Sequence, residues 1–162
     1  MTVDPLLLRK VCNSLGTDLA QIRALVQDYA RFVERYGASM DVYLYRATAS
    51  FMADFYVGVE SVFTTIADDL DGGAPRGRNW HKRLIQSMAV ERPGVRPAVI
   101  SPEERDALLP FLVFRHVIPQ AYGISLDQQK VIALERGFLP AQQRFSAELD
   151  TFCDYLRCGG SH

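Results

Sequence analysis

Arg115, His116, Gln120 and Tyr122 fall within one late run, Phe111-Leu-Val-Phe-Arg115-His116-Val-Ile-Pro119-Gln120-Ala-Tyr122-Gly123. Apolar packing alone does not call for such residues in such a run. A guanidinium can meet two oxygens of a phosphate at once, an imidazole can move a proton near neutral pH, and an amide or a phenol can position a ligand by hydrogen bonding. Anion binding joined to proton transfer is the chemistry on offer.

The apolar positions Leu108, Leu109, Leu112, Val113 and Val117 place Arg115 on a helix with one apolar face. At 100° per residue, Tyr122 returns to within about 20° of Arg115, so the two share a face, whereas Gln120 sits about 140° away on a straight helix. Pro119 removes a backbone donor and is expected to kink or end the helix, which lets Gln120 swing toward Arg115 or meet the same motif of a second subunit. His116 points about 100° away from Arg115 on the same helix.

These residues and several upstream runs resemble one known family. Arg115, four residues, Gln120, one residue and Tyr122 match the spacing Arg-x4-His-x-Tyr of HepT-like proteins in the HEPN superfamily, with Gln120 where that family has His. Asp54-Phe-Tyr-Val-Gly-Val-Glu60-Ser-Val-Phe63, Asp71-Gly-Gly, Pro75-Arg-Gly and Trp80-His81 extend the resemblance, which covers roughly residues 40 to 157. The resemblance implies an all-α antiparallel bundle and a homodimer whose paired Arg and His groups form a metal-independent ribonuclease site, with no cofactor. It also implies a toxin of a toxin–antitoxin pair, acting on RNA such as tRNA or mRNA. A minimal nucleotidyltransferase antitoxin silences such sites by attaching AMP to the motif tyrosine, here Tyr122.

Gln120 cannot carry a proton near neutral pH, so the acid-base partner that the family has there is missing. Three readings follow. Arg115 sustains RNA cleavage with Gln120 as a positioning group and His116 as the substitute base; or the chain is a catalytically inactive HEPN module that binds a nucleotidyltransferase partner or nucleic acid; or Arg115 forms a structural ion pair on an inherited scaffold.

The elements that must position these residues read as helices throughout, and their periodicity predicts an all-α antiparallel bundle of four main helices plus a short one. Leu15, Leu19, Ile22, Val26, Tyr29, Val33 and Tyr36 form a stripe that is either core or a dimer seam, ending at Gly37, with a break expected near Gly16. A second and most apolar helix is expected from about Asp41 to Leu70, with Phe51, Phe55, Val59, Val62 and Ile66 on one face. Asp54 and Glu60 lie in its aromatic surround, where a carboxylate needs a partner; each either supports Arg115, forms a structural ion pair or faces water.

Asp71 to Gly77 reads as a loop and does not have the spacing of a phosphate-cradling one. A short helix from about Arg78 to Val90 follows, with His81 near its start as a packed or surface residue. Arg76, Arg78, Lys82 and Arg83, with Arg92 and Arg96, form a basic island that either holds RNA phosphates or an acidic partner, or is a solvated loop. Ser101-Pro102-Glu103-Glu104 opens the motif helix as N-cap, first-turn proline and first-turn acids. Gly137 and Pro140 are expected to break or kink the final helical segment, whose apolar side is marked by Phe138, Phe145, Leu149, Phe152 and Leu156.

Bulk properties bound the rest. The 162 residues are 48% hydrophobic, enough for one domain over 1–162 with a sizeable core. A net charge of -1 argues against a general nucleic-acid coat while leaving a local patch open. Cys12, Cys153 and Cys158 show no metal-ligand spacing, and no metal site is expected. No signal-like or membrane-length apolar run is present, so the expected location is cytoplasmic.

Overall fold

The computed structural model of the chain describes residues 3–37, 41–117 and 126–160. Among the described residues, four long helices and one short one make up the bundle: α1 (Pro5–Tyr36), α2 (Val42–Leu70), α3 (Trp80–Met88), α4 (Pro102–Val117) and α5 (Gln128–Arg157). Short polar residues start the long ones. Asp4 accepts from the Leu6 N–H, Asp41 from Tyr43, Ser101 Oγ from Glu104 and Asp127 from Gln129, which satisfies donors that a helix start leaves unpaired.

Contacts across the bundle set the helix directions. Lys10 meets Asp69, Asp18 meets Ser61 and Tyr29 meets Phe51, so α1 and α2 run antiparallel. Arg23 with Asp150 and Tyr29 with Glu135 set α5 antiparallel to α1. The stripe on α1 is largely core, since Leu15, Leu19, Ile22 and Tyr29 are buried, although Val33 and Tyr36 at its end are exposed.

Helix α2 is central and touches each of the other four. Fully buried Phe55 sits at its middle, with the rings of Phe111 from α4 and Phe138 and Phe145 from α5 edge-on at 5.5, 5.2 and 6.4 Å. Such pairs add about 0.5–1.5 kcal/mol each beyond area burial. At Gly58 the approach of α1 is so close that a Cβ would stand 2.8 Å from Ile22 Cγ1.

Two expected breaks do not occur. Helix α1 runs through Gly16 and α5 runs through Gly137 and Pro140. Arg136, whose carbonyl Pro140 cannot bond, faces solvent together with Gly137 and Pro140, while Phe138, Ala141 and Phe145 are buried on the other side. The freed carbonyl lies on the solvent-facing side, where it is open to water, and burial of the opposite side holds the helix together. Among the described residues no helix is long and apolar enough to cross a membrane.

Candidate active site

The site begins with one carboxylate. Glu60, in the sixth turn of α2 and nearly buried, presents Oε1 to Arg115 Nη1 of α4 at 2.5 Å and Oε2 to His81 Nδ1 of α3 at 2.5 Å. A carboxylate taken from water requires such partners, and Glu60 has two. The Arg115 and His81 side chains remain 28% and 22% exposed, so both can be reached from solvent.

Two further rings complete the cluster. Trp80 stacks on His81 with centroids 3.6 Å apart, and exposed His116 meets His81 edge-on at 4.5 Å. Desolvation, followed by the neighbouring His81 and Arg115, holds the His116 imidazole below its ordinary pKa, with Glu60 opposing. His116 is therefore mainly the neutral, proton-accepting form at pH 7. Arg115 and His116 also occupy the last turn of α4, where the helix dipole favours positive charge.

Tyr56, one helical turn before Glu60, is buried; burial and then the Glu60 charge push its phenol well above the usual value, while Arg115 opposes. It stays a neutral wall behind the carboxylate.

The sequence expectations fare unevenly. Glu60 and Arg115 come together, and His116 lies beside them through His81. Asp54 does not join: it faces solvent, and among the described residues no side chain pairs with it. Its position six residues before Glu60 turns it about 120° away around α2, off the face that carries the carboxylate. Gln120 and Tyr122 lie outside the described residues. His81 was the residue that sequence reasoning passed over, read as packed or surface; its signal was the Trp80-His81 pair within the family-like runs.

The basic island divides. Arg76, Arg78, Lys82 and Arg83 are all exposed, and Arg83 also donates to the carbonyls of Arg76 and Arg78 and so clasps the loop they occupy. Arg96 has a side chain with 0% exposure and pairs with both oxygens of Asp71 at 2.8 and 2.7 Å, with further donation to the Ser87, Val90 and Pro97 carbonyls. It fixes the loop before α4 and is not surface charge. Beside the cluster opens a cleft of about 360 Å³ lined in part by Thr64, Asp68, Arg76 and Trp80. Among the described residues no three His, Cys, Asp or Glu side chains gather as metal ligands.

Comparison with known proteins gives one finding. No curated protein and no solved structure matches the chain. The family model described as "HepT-like protein" matches residues 47–156, a span that holds Glu60, His81, Arg115 and His116, and the chain belongs to the HepT-like family of the HEPN superfamily.

Proposed function

We propose that this chain is the toxin component of a toxin–antitoxin pair and cleaves RNA without a metal ion. The observation that carries the reading is Arg115, held half-exposed by the nearly buried Glu60 and flanked by a neutral histidine. In the proposed reaction His116 accepts the proton of a ribose 2′-hydroxyl, the 2′-oxygen attacks the adjacent phosphorus, and Arg115 meets the charge that develops on the phosphorane oxygens. Arg76, Arg78 and Lys82 supply positive charge along the approach, and the cleft against Trp80 can take part of a nucleotide.

Pairing of two subunits, positioning by Gln120, and silencing by a minimal nucleotidyltransferase that attaches AMP to Tyr122 belong to the same proposal on the strength of family membership. A second reading, an inactive module that binds a nucleotidyltransferase partner or nucleic acid, draws on the same ion pair, because Glu60 offsets the Arg115 charge that a phosphate would seek.

The test is incubation of the purified protein with total tRNA in excess chelator. Cleavage supports the toxin reading. Intact RNA that is nevertheless bound transfers support to the inactive module.

A further inference from the structure

We propose that His81 donates the proton to the departing 5′-oxygen while His116 accepts the proton of the 2′-hydroxyl, so that a single chain carries both proton-transfer groups. The inference rests on the RNA-cleaving reading above. It supplies, from residues outside the Arg115-to-Tyr122 motif, the acid-base capacity that Gln120 lacks.

Orientation comes first. A carboxylate only accepts, so the 2.5 Å contact with Glu60 Oε2 places a hydrogen on His81 Nδ1. That leaves Nε2 as the working nitrogen, and among the described residues it has no hydrogen-bond partner. Trp80, stacked at 3.6 Å, fixes the plane of the ring. A histidine placed by a carboxylate on one nitrogen and free on the other is arranged to exchange a proton at a defined atom.

Charge comes second. With centroids 4.5 Å apart, the two rings are close enough for positive charge on one to repel positive charge on the other. Glu60 hydrogen-bonds His81 and not His116, so the carboxylate sets its negative charge against the ring that is to give up a proton. His116, kept below its ordinary pKa, is the neutral member. The two rings thus take different roles, His81 as donor and His116 as acceptor.

The step balances. His116 takes the 2′-hydroxyl proton, the 2′-oxygen to phosphorus bond forms, the phosphorus to 5′-oxygen bond breaks, and the His81 Nε2 proton goes to the 5′-oxygen. The products are a 2′,3′-cyclic phosphate and a 5′-hydroxyl. The pair ends with the proton on His116, and exchange with solvent restores the starting form. Arg115, on the other oxygen of Glu60, is joined to His81 through one carboxylate, which sets the acid and the charge-stabilising group in one frame.

The experiment compares RNA with a uridine 3′-nitrophenyl phosphodiester, whose leaving group departs without a proton. His81→Ala should lower RNA cleavage by about 100-fold or more and leave nitrophenyl release within about 10-fold of wild type. His116→Ala should depress both. His81→Gln, which keeps a polar side chain against Glu60, serves as the second variant should His81→Ala unfold, and it should show the same selective loss. Equal loss on both substrates would reduce His81 to a structural support, and no loss on either would remove it from the reaction; both outcomes overturn this inference alone. A wild-type protein inactive on RNA overturns the parent reading and this one with it.

Discussion

Glu60 accepts a hydrogen bond from Arg115 at 2.5 Å although the two stand 55 residues apart and on different helices. The pair ties α2 to α4 at the place where the site opens, so it is both a support and a source of orientation. Removing one partner leaves a nearly buried charge uncompensated. Glu60→Gln and Arg115→Met, singly and together, should show a coupling of about 1–3 kcal/mol in a double-mutant cycle read by denaturant unfolding. Additive effects would mean that the contact contributes nothing to the fold.

Glu104 gives a pH dependence. Its side chain is buried, its Oε1 has no hydrogen-bond partner among the described residues, and burial, followed by the charge of Glu148, raises its pKa from 4.5 to about 8 against the opposing Arg144. A raised carboxyl pKa means that the folded state holds the proton longer than the unfolded one. The stability it contributes is full below the unfolded value of 4.5 and is lost as pH rises toward about 8. Glu104→Gln, which imitates the protonated form, should match wild type in acid and melt at a higher temperature above about pH 8. A Tm difference that stays constant across that range contradicts the assignment.

How much of this could be read from the sequence depended on whether the signal was local. The cap at Ser101 and the four-residue spacing of Phe51, Phe55 and Val59 are local, and they located the start of α4 and the body of α2 closely. Glu60 announced itself because a carboxylate among aromatic residues needs a partner, and Arg115 was the candidate with few charges around it. His81 gave no such signal. Its role arises from the turn of the 71–79 loop, which carries α3 back against α2 and α4 and sets the ring between Glu60 and His116. Arg96 was equally hidden, since an arginine in a basic stretch looks the same whether it faces water or Asp71. At Pro140 the local rule was outweighed by burial on the opposite side of α5.

The division of the basic island yields opposite expectations for its members. Asp71→Asn leaves the buried Arg96 without its counter-charge and should lower stability by about 3–5 kcal/mol, measured by urea unfolding. Arg76→Ala with Lys82→Ala touches exposed side chains, so stability should change by less than about 0.5 kcal/mol each. RNA affinity should nonetheless fall, with a salt dependence shallower by about one to two units of slope. An unchanged slope removes those residues from the RNA path.

Two glycines test the packing. Alanine usually suits a helix interior better than glycine by about 0.5–1 kcal/mol. Gly137→Ala, with nothing within 4 Å of the added carbon, should gain that amount. Gly58→Ala drives a carbon to 2.8 Å from Ile22 and should instead destabilise by about 1–3 kcal/mol. Thermal unfolding of the two variants side by side reads the sign of each.

Under the proposed function, Arg115 stabilises RNA cleavage in this chain despite Gln120. The most direct measurement is the single-turnover rate on a defined RNA in excess chelator for wild type and Arg115→Ala, with the product ends identified. Wild type should give 2′,3′-cyclic phosphate and 5′-hydroxyl ends, and the variant a rate lower by about 100-fold or more, in line with loss of a group that meets developing charge. Equal rates for the two proteins, or no cleavage by wild type under conditions where RNA is bound, would contradict it.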